Sequence, residues 1–221
     1  MEKITENVYL IGSSEISHKF DCMVYVIKGK TGCIMIDSGA GISDYVLNDN
    51  VKTLGYENGP EAIILTHCHI DHIGGAKYFK DKYGTKIYSS KIDAKAIQGE
   101  NMHLVASDWY NVNYIPTQVD YKISDKETLD ICGLELKIIS TPGHTPGSIC
   151  VMVEIDNEKI LFAQDVHGPF IKEWGSDKKV WKKSMEKLLS LNATILCEGH
   201  YGIYYGNKAN EFIKSQISMN S

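Results

Sequence analysis

Four short apolar runs in this chain each end on a turn that carries histidine or aspartate, and this arrangement narrows the fold more than any other feature. Glu61-Ala62-Ile63-Ile64-Leu65-Thr66 leads into His67-Cys68-His69-Ile70-Asp71-His72. Leu136 to Ser140 leads into Thr141-Pro142-Gly143-His144-Thr145-Pro146-Gly147-Ser148, Ile160 to Gln164 ends at Asp165, and Ala193 to Gly199 ends at His200. Short apolar runs bounded by turn residues read as buried strands. Residues at the ends of neighbouring strands can meet although they are far apart in sequence, and rigid strands hold such a meeting point better than a free loop.

The residue types say what the meeting point is for. Neutral imidazole nitrogens and carboxylate oxygens are the ligands that borderline divalent metals such as zinc accept. A polar turn behind a buried strand accounts for one or two of the residues between His67 and His72, but gives no reason for four together. Taken singly, His144 reads equally well as a turn histidine, Asp165 as a loop carboxylate and His200 as a satisfied core residue. Alongside the cluster they read as its missing ligands.

In this order the set resembles the signature of the metallo-β-lactamase superfamily: His-x-His-x-Asp-His, a distal His, a bridging Asp and a last His, matched through the whole chain. The resemblance implies an α/β fold, a four-layer αββα sandwich. It also implies two divalent metal ions, zinc first, with iron or manganese as alternatives. By the same resemblance His67, His69 and His144 hold the first metal, Asp71, His72 and His200 the second, and Asp165 bridges both. The Thr141 to Ser148 stretch is most similar to the branch containing hydroxyacylglutathione hydrolases (glyoxalase II), related thioesterases and persulfide dioxygenases. The motif specifies the superfamily far better than the substrate.

The implied activity is hydrolysis by a dinuclear site, a metal-bridged hydroxide attacking a thioester or lactone carbonyl. A thiolate leaves with little protonation, whereas a lactam nitrogen needs an acid. Asp71 is the candidate proton shuttle, and His167 and Tyr201 are candidate catalytic residues beside the centre. Two alternatives stand in the same superfamily: a mononuclear iron enzyme like the persulfide dioxygenases, and a phosphodiesterase or nuclease. The chain departs from the glyoxalase II pattern after Asp165, where Val166-His167-Gly168-Pro169-Phe170 follows, and again after His200, where a short tail replaces the longer helical region that grips glutathione. The expected partner is therefore a small-molecule ester, thioester or lactone other than the glutathione conjugate.

Composition trims the alternatives. All 23 basic residues are Lys, against 28 acids, for a net charge of −5. Arginine's planar fork is the preferred partner of phosphate and stacks on bases, so its absence argues against a nucleic-acid partner. A length of 221 residues suits one domain, 1–221, with nothing that reads as a linker. No apolar run is long enough to span a bilayer. The N-terminus lacks an apolar stretch with a small-residue cleavage site, so the expected location is the cytoplasm. The six scattered cysteines read as reduced and mostly buried, with Cys68 between two candidate ligands as the exception. Homo-oligomer formation is left open.

Along the chain, strands are expected at Val8 to Gly12, Met23 to Ile27, Cys33 to Asp37, Ala62 to Leu65, Ile87 to Ser89, Leu136 to Ser140, Ile149 to Ile155, Ile160 to Ala163 and Ala193 to Cys197. Asp156-Asn157-Glu158 should turn a hairpin. Helices are expected from a Ser43 or Asp44 cap to Leu54, over Ile73 to Tyr83 despite Gly74 and Gly75, over Asp93 to Gln98, over Val180 to Leu191 with Val180, Ser184, Leu188 and Leu191 on one face, and over Asn207 to Ile217. Asn101 to Gln118, with Trp109, Tyr110 and Tyr114, has no clean period and reads as a lid, the lining of an acyl pocket, a loop packed by its own aromatics or a subunit contact.

Overall fold

The computed structural model describes residues 1–163 and 165–220; Gln164, at the end of the third apolar run, lies outside the described residues. One sheet runs β1 (Glu2–Lys3), β2 (Val8–Gly12), β3 (Val24–Lys28), β4 (Cys33–Ile36), β5 (Ala62–Leu65), β6 (Lys86–Ser90) and β7 (Tyr121–Ile123), in that spatial order. Its first four strands pair antiparallel, and β4 to β7 pair parallel. The second sheet comprises β8 (Thr128–Ile131), β9 (Leu134–Ser140), β10 (Ile149–Ile155), β11 (Glu158–Ala163), β12 (Ile195–Glu198) and β13 (Ile203–Tyr205), with neighbours again consecutive. In it β11 and β12 alone run parallel.

Period-two alternation sorts the side chains into layers. In β4, Ile34 and Ile36 face the second sheet, while Cys33 and Met35 face the helices α1 (Asp44–Thr53) and α3 (Ala76–Tyr83). β5 divides the same way, with Ala62 and Ile64 between the sheets and Ile63 and Leu65 under the helices. In the second sheet Leu136, Ile138, Val151, Ile160 and Phe162 meet the first sheet. Cys150, Met152, Leu161 and Leu196 instead pack under α6 (Lys178–Leu189) and α7 (Asn207–Asn220) with Trp181, Met185, Leu188, Ala209 and Ile213. Helix, sheet, sheet, helix is the four-layer sandwich that the resemblance implied.

Three expectations need correcting in detail. The helix expected over Ile73 to Tyr83 is two pieces, α2 (Ile70–Ile73) and α3, broken at Gly74 and Gly75. A Cβ at Gly74 would lie 2.2 Å from the Ala40 carbonyl carbon, so this turn is pressed against another backbone and only glycine fits. On α6 the buried face is Trp181, Ser184, Met185 and Leu188, not one starting at Val180, which is 38% exposed. The hairpin turn is the pair Asp156-Asn157, both at positive φ, and Glu158 already pairs with Ile155 in the ladder. Segment 101–118 holds a short 3-10 turn, Met102–Val105, and one turn of helix, α5 (Ser107–Tyr110).

Candidate metal centre

The parallel strands of each sheet, with β9, deliver their C-terminal ends to one edge of the sandwich. There β4 ends before Asp37, β5 before Thr66 and His67, β9 before Thr141, and β12 before Gly199 and His200. Cross-sheet backbone bonds tie this edge together: the Ile149 amide donates to Thr66 O at 2.9 Å and the Met23 amide to Gly199 O at 2.7 Å.

Two overlapping groups of donor atoms stand at this edge. His67, His69, His144 and Asp165 form one, and Asp71, His72, Asp165 and His200 the other, each with its ligand atoms within 4.8 Å of one another. Asp165 belongs to both. All seven residues singled out by the sequence motif are thereby brought together.

In the first group the tautomers follow from the surroundings. The carbonyl of Pro169 lies 3.0 Å from His144 Nδ1 and can only accept, so Nδ1 carries the proton and Nε2 presents its lone pair. That Nε2 is 2.9 Å from His69 Nδ1, which is in turn 3.1 Å from His67 Nε2. His67 Nδ1 is held by the Thr66 hydroxyl at 3.1 Å. Burial above all, and then the neighbouring imidazoles, keep His67 and His69 well below the usual histidine range, and burial brings His144 down to about 4. Three neutral rings thus crowd their nitrogens on one point, which is the state a cation requires of them.

The second group is held by charge. His72 donates from Nδ1 to Asp37 Oδ2 at 2.8 Å, aiming Nε2 at Asp165 Oδ1, 3.2 Å away, and Asp71 Oδ2, 3.6 Å away. His200 Nε2 stands 3.1 Å from Asp71 Oδ2 and 3.4 Å from Asp165 Oδ2. Burial pulls both histidines down, but the surrounding acids outweigh it. His72 rises well above its usual range beside Cys22, Asp165, Asp71 and Asp37, and His200 rises to about 11 beside Asp165 and Asp71. Burial likewise opposes ionisation of Asp165, yet His200 and His72 hold it well below the carboxylate range.

This donor set fits divalent metal. His72 Nε2 and Asp165 Oδ1 face each other at 3.2 Å, buried and without a well-aligned hydrogen bond to any described residue. Buried polar atoms left so are costly, and a cation would satisfy them. Cys68 does not join either group: its thiol donates to Leu104 O at 3.4 Å, on the far side of the turn.

Several residues that the motif did not mark hold these groups in place. Asp37 accepts from the Thr66 amide and hydroxyl, each at 2.8 Å, as well as from His72. Asp93, ahead of α4 (Ala94–Ile97), accepts from the Cys68 amide at 3.1 Å and the Thr145 hydroxyl at 2.7 Å, pinning the turn of His67 and His69 to the turn of His144. Glu198 takes His167 Nδ1 at 2.7 Å with one oxygen, and the amides of His200 and Tyr201 with the other. Tyr110 donates to Asp71 Oδ2 at 3.0 Å. Each is an ordinary polar residue in sequence, and only its position next to a strand end or an aromatic segment hinted at a role.

The candidate catalytic residues fare unequally. His167 packs its ring against His200 and Tyr201, at 5.5 and 4.4 Å, so it borders the second group. Tyr201 is 65% exposed and lies outside both groups. The aromatic wall over the first group is Trp174, 4.8 Å from the His69 ring, with Trp109 stacked edge-on against it at 5.2 Å.

Comparison with known proteins places the chain in a family. The chain belongs to the metallo-beta-lactamase superfamily, whose family profile matches residues 19–200. It is 31% identical over 197 residues to Glyoxylase B2 of Dictyostelium discoideum, a match covering 78% of this chain and 63% of that protein. This chain therefore spans less than two thirds of that relative. It is also 28% identical to an uncharacterized Mycobacterium leprae protein, ML0493, over 81% of this chain and 85% of the relative. Among solved structures, the native FEZ-1 metallo-beta-lactamase from Legionella gormanii superposes with a TM-score of 0.82, covering 99% of this chain and 93% of its own at 18% identity. That likeness speaks for the fold. A hydrolase role accords with the family. Among the described residues no helix is long and apolar enough to cross a membrane.

Proposed function

We propose that this protein is a dinuclear metallohydrolase of the cytoplasm, zinc being the favoured metal, that cleaves a small thioester, ester or lactone. The observation that carries the reading is the sharing of Asp165 by two complete donor groups. His67, His69 and His144 would hold one cation, Asp71, His72 and His200 the other, and the Asp165 carboxylate would reach both. Two such ions supply Lewis acidity toward a carbonyl oxygen and make water nucleophilic near neutral pH.

The chain's own residues do the rest. The buried imidazoles and Asp37 fix ligand direction, and Trp174 with Trp109 keeps water from the His69 side while offering an apolar surface to an acyl group. His200, with 29% of its side chain exposed, marks the open side from which substrate enters. Its neighbour His167 donates a hydrogen bond from Nδ1 to Glu198, leaving Nε2 as the ring atom that can hold a second proton and pass it to a leaving group. A thiolate needs that proton least, which favours thioesters. The lack of arginine counts against phosphodiesters and nucleic acid.

The test is metal content of the purified protein, followed by a panel of thioesters, lactones, phosphodiesters and β-lactams before and after chelation. Two metals per chain and chelator-sensitive cleavage of thioesters or lactones are expected. Turnover of phosphodiesters alone, or one iron with sulfite released from glutathione persulfide, would overturn the reading.

A further inference from the structure

We propose that Tyr110 is a positioning residue for the second metal group, holding Asp71 through its phenol. The inference rests on the two-cation reading above. Among the described residues of segment 101–118, Tyr110 is the one whose side chain hydrogen-bonds a candidate ligand. It sits at the end of α5, on a segment whose sequence showed no period.

The bond falls on the oxygen that matters. Asp71 Oδ2 accepts from the phenol at 3.0 Å and is also the oxygen facing His200 Nε2 at 3.1 Å and His72 Nε2 at 3.6 Å. A carboxylate oxygen has two lone pairs, so one can take the phenol while the other turns to a cation. The Tyr110 ring is itself held. It packs edge-on against Phe20 at 5.5 Å, and Phe20 packs against His18 at 5.3 Å, so strand-connecting residues from the chain's first third aim a hydroxyl from its middle. Without the phenol, Asp71 Oδ2 would keep, among the described residues, only the histidines that share its task as partners.

Tyr114 provides the contrast. It lies in the same segment, but its hydroxyl donates to Ile97 O at 2.8 Å and reaches neither metal group. Groups that hydrogen-bond a ligand carboxylate are worth about 10- to 100-fold in metal affinity.

The experiment titrates metal-stripped protein with Co2+, following its absorption bands and a competing chelator. Tyr110→Phe keeps the ring and its packing on Phe20 and removes only the hydroxyl. The expected result is two cations bound by the wild type, a second-cation affinity about 10- to 100-fold weaker in Tyr110→Phe, and a first-cation affinity unchanged. Tyr114→Phe should leave both affinities as they are, and all three proteins should share the melting temperature of the metal-free state. Wild-type affinity at both sites in Tyr110→Phe would overturn the inference, as would an equal loss in Tyr114→Phe, since that reports a loosened segment. A wild type that takes up one cation only removes the two-cation reading itself, and is distinguished by being seen before any variant is made.

Discussion

The two halves of the metal centre share Asp165 but are built on opposite principles. The first is a pocket of neutral rings: His67, His69 and His144 are all at most 3% exposed, and burial strips them of protons. The second is a balance of opposite charges, with Asp71 and Asp165 facing His72 and His200, and it opens to solvent at His200. Desolvation therefore prepares the first group for a cation, whereas in the second a cation would take over the role that protons on two histidines play without it. A single site can thus combine a rigid anchor with an accessible edge.

Asp165→Asn tests the point both halves have in common. It should lose metal from both and activity with it, so a fully metallated, active variant would refute the bridging role. Next in size, His69→Ala and His200→Ala should each remove one cation, leaving about one per chain. Because His69 lies under Trp174 and His200 at the rim, His69→Ala should also lower thermal stability of the loaded protein more. Equal losses of stability would mean that the contrast in burial has no energetic weight.

Asp93 allows a finer cut. It joins the His67 turn to the His144 turn and touches nothing in the second group, so Asp93→Ala should weaken the first cation by about 10- to 100-fold and spare the second. Asp93→Asn keeps an accepting oxygen and should recover part of that loss. If competition titrations show both cations weakened alike, the two groups are mechanically one.

An effect outside the metal centre comes from Asp44, a buried carboxylate whose charged neighbour is another acid, Asp21. Burial first, and Asp21 second, raise Asp44 to about 6, the opposite of what the imidazoles do to Asp165. A folded-state pKa above the unfolded one means that the group's stability contribution is full below about pH 4 and lost as the pH rises through about 6. Asp44→Asn should therefore stabilise the protein at pH 7 by up to about 3 kcal/mol and confer nothing near pH 4. Melting curves at the two pH values decide it, and a gain that does not depend on pH would show that Asp44 is ionised without penalty.

Much of this was legible from residue types and spacing. The His67 to His72 cluster, the turn at His144, Asp165 and His200 could be named as one set because each follows a run whose composition makes it a buried strand, and strand ends can converge. The aromatic segment resisted reading, because Trp109 and Tyr110 follow neither a helical nor a strand period and serve the site from a single turn of helix. Tyr201 attracted notice by standing next to a ligand in sequence, yet it follows a bend and is 65% exposed, and the phenol near the centre belongs to Tyr110. Gly74 likewise looked like a tolerated helix residue, since the Ala40 backbone it must clear is distant in the chain.

The sequence by itself determined which runs are buried strands and which possible metal donors follow them, since apolar composition dictates burial and donor chemistry dictates which residues can bind metal; the assignment of those donors to two cations is what the family resemblance implies. Only the tertiary structure decided which imidazoles are neutral and which are paired with acids, and which buried carboxylates and phenol brace the ligands. Proton state and ligand direction depend on burial and on contacts a few ångströms long between residues far apart in the chain, and no local pattern encodes those.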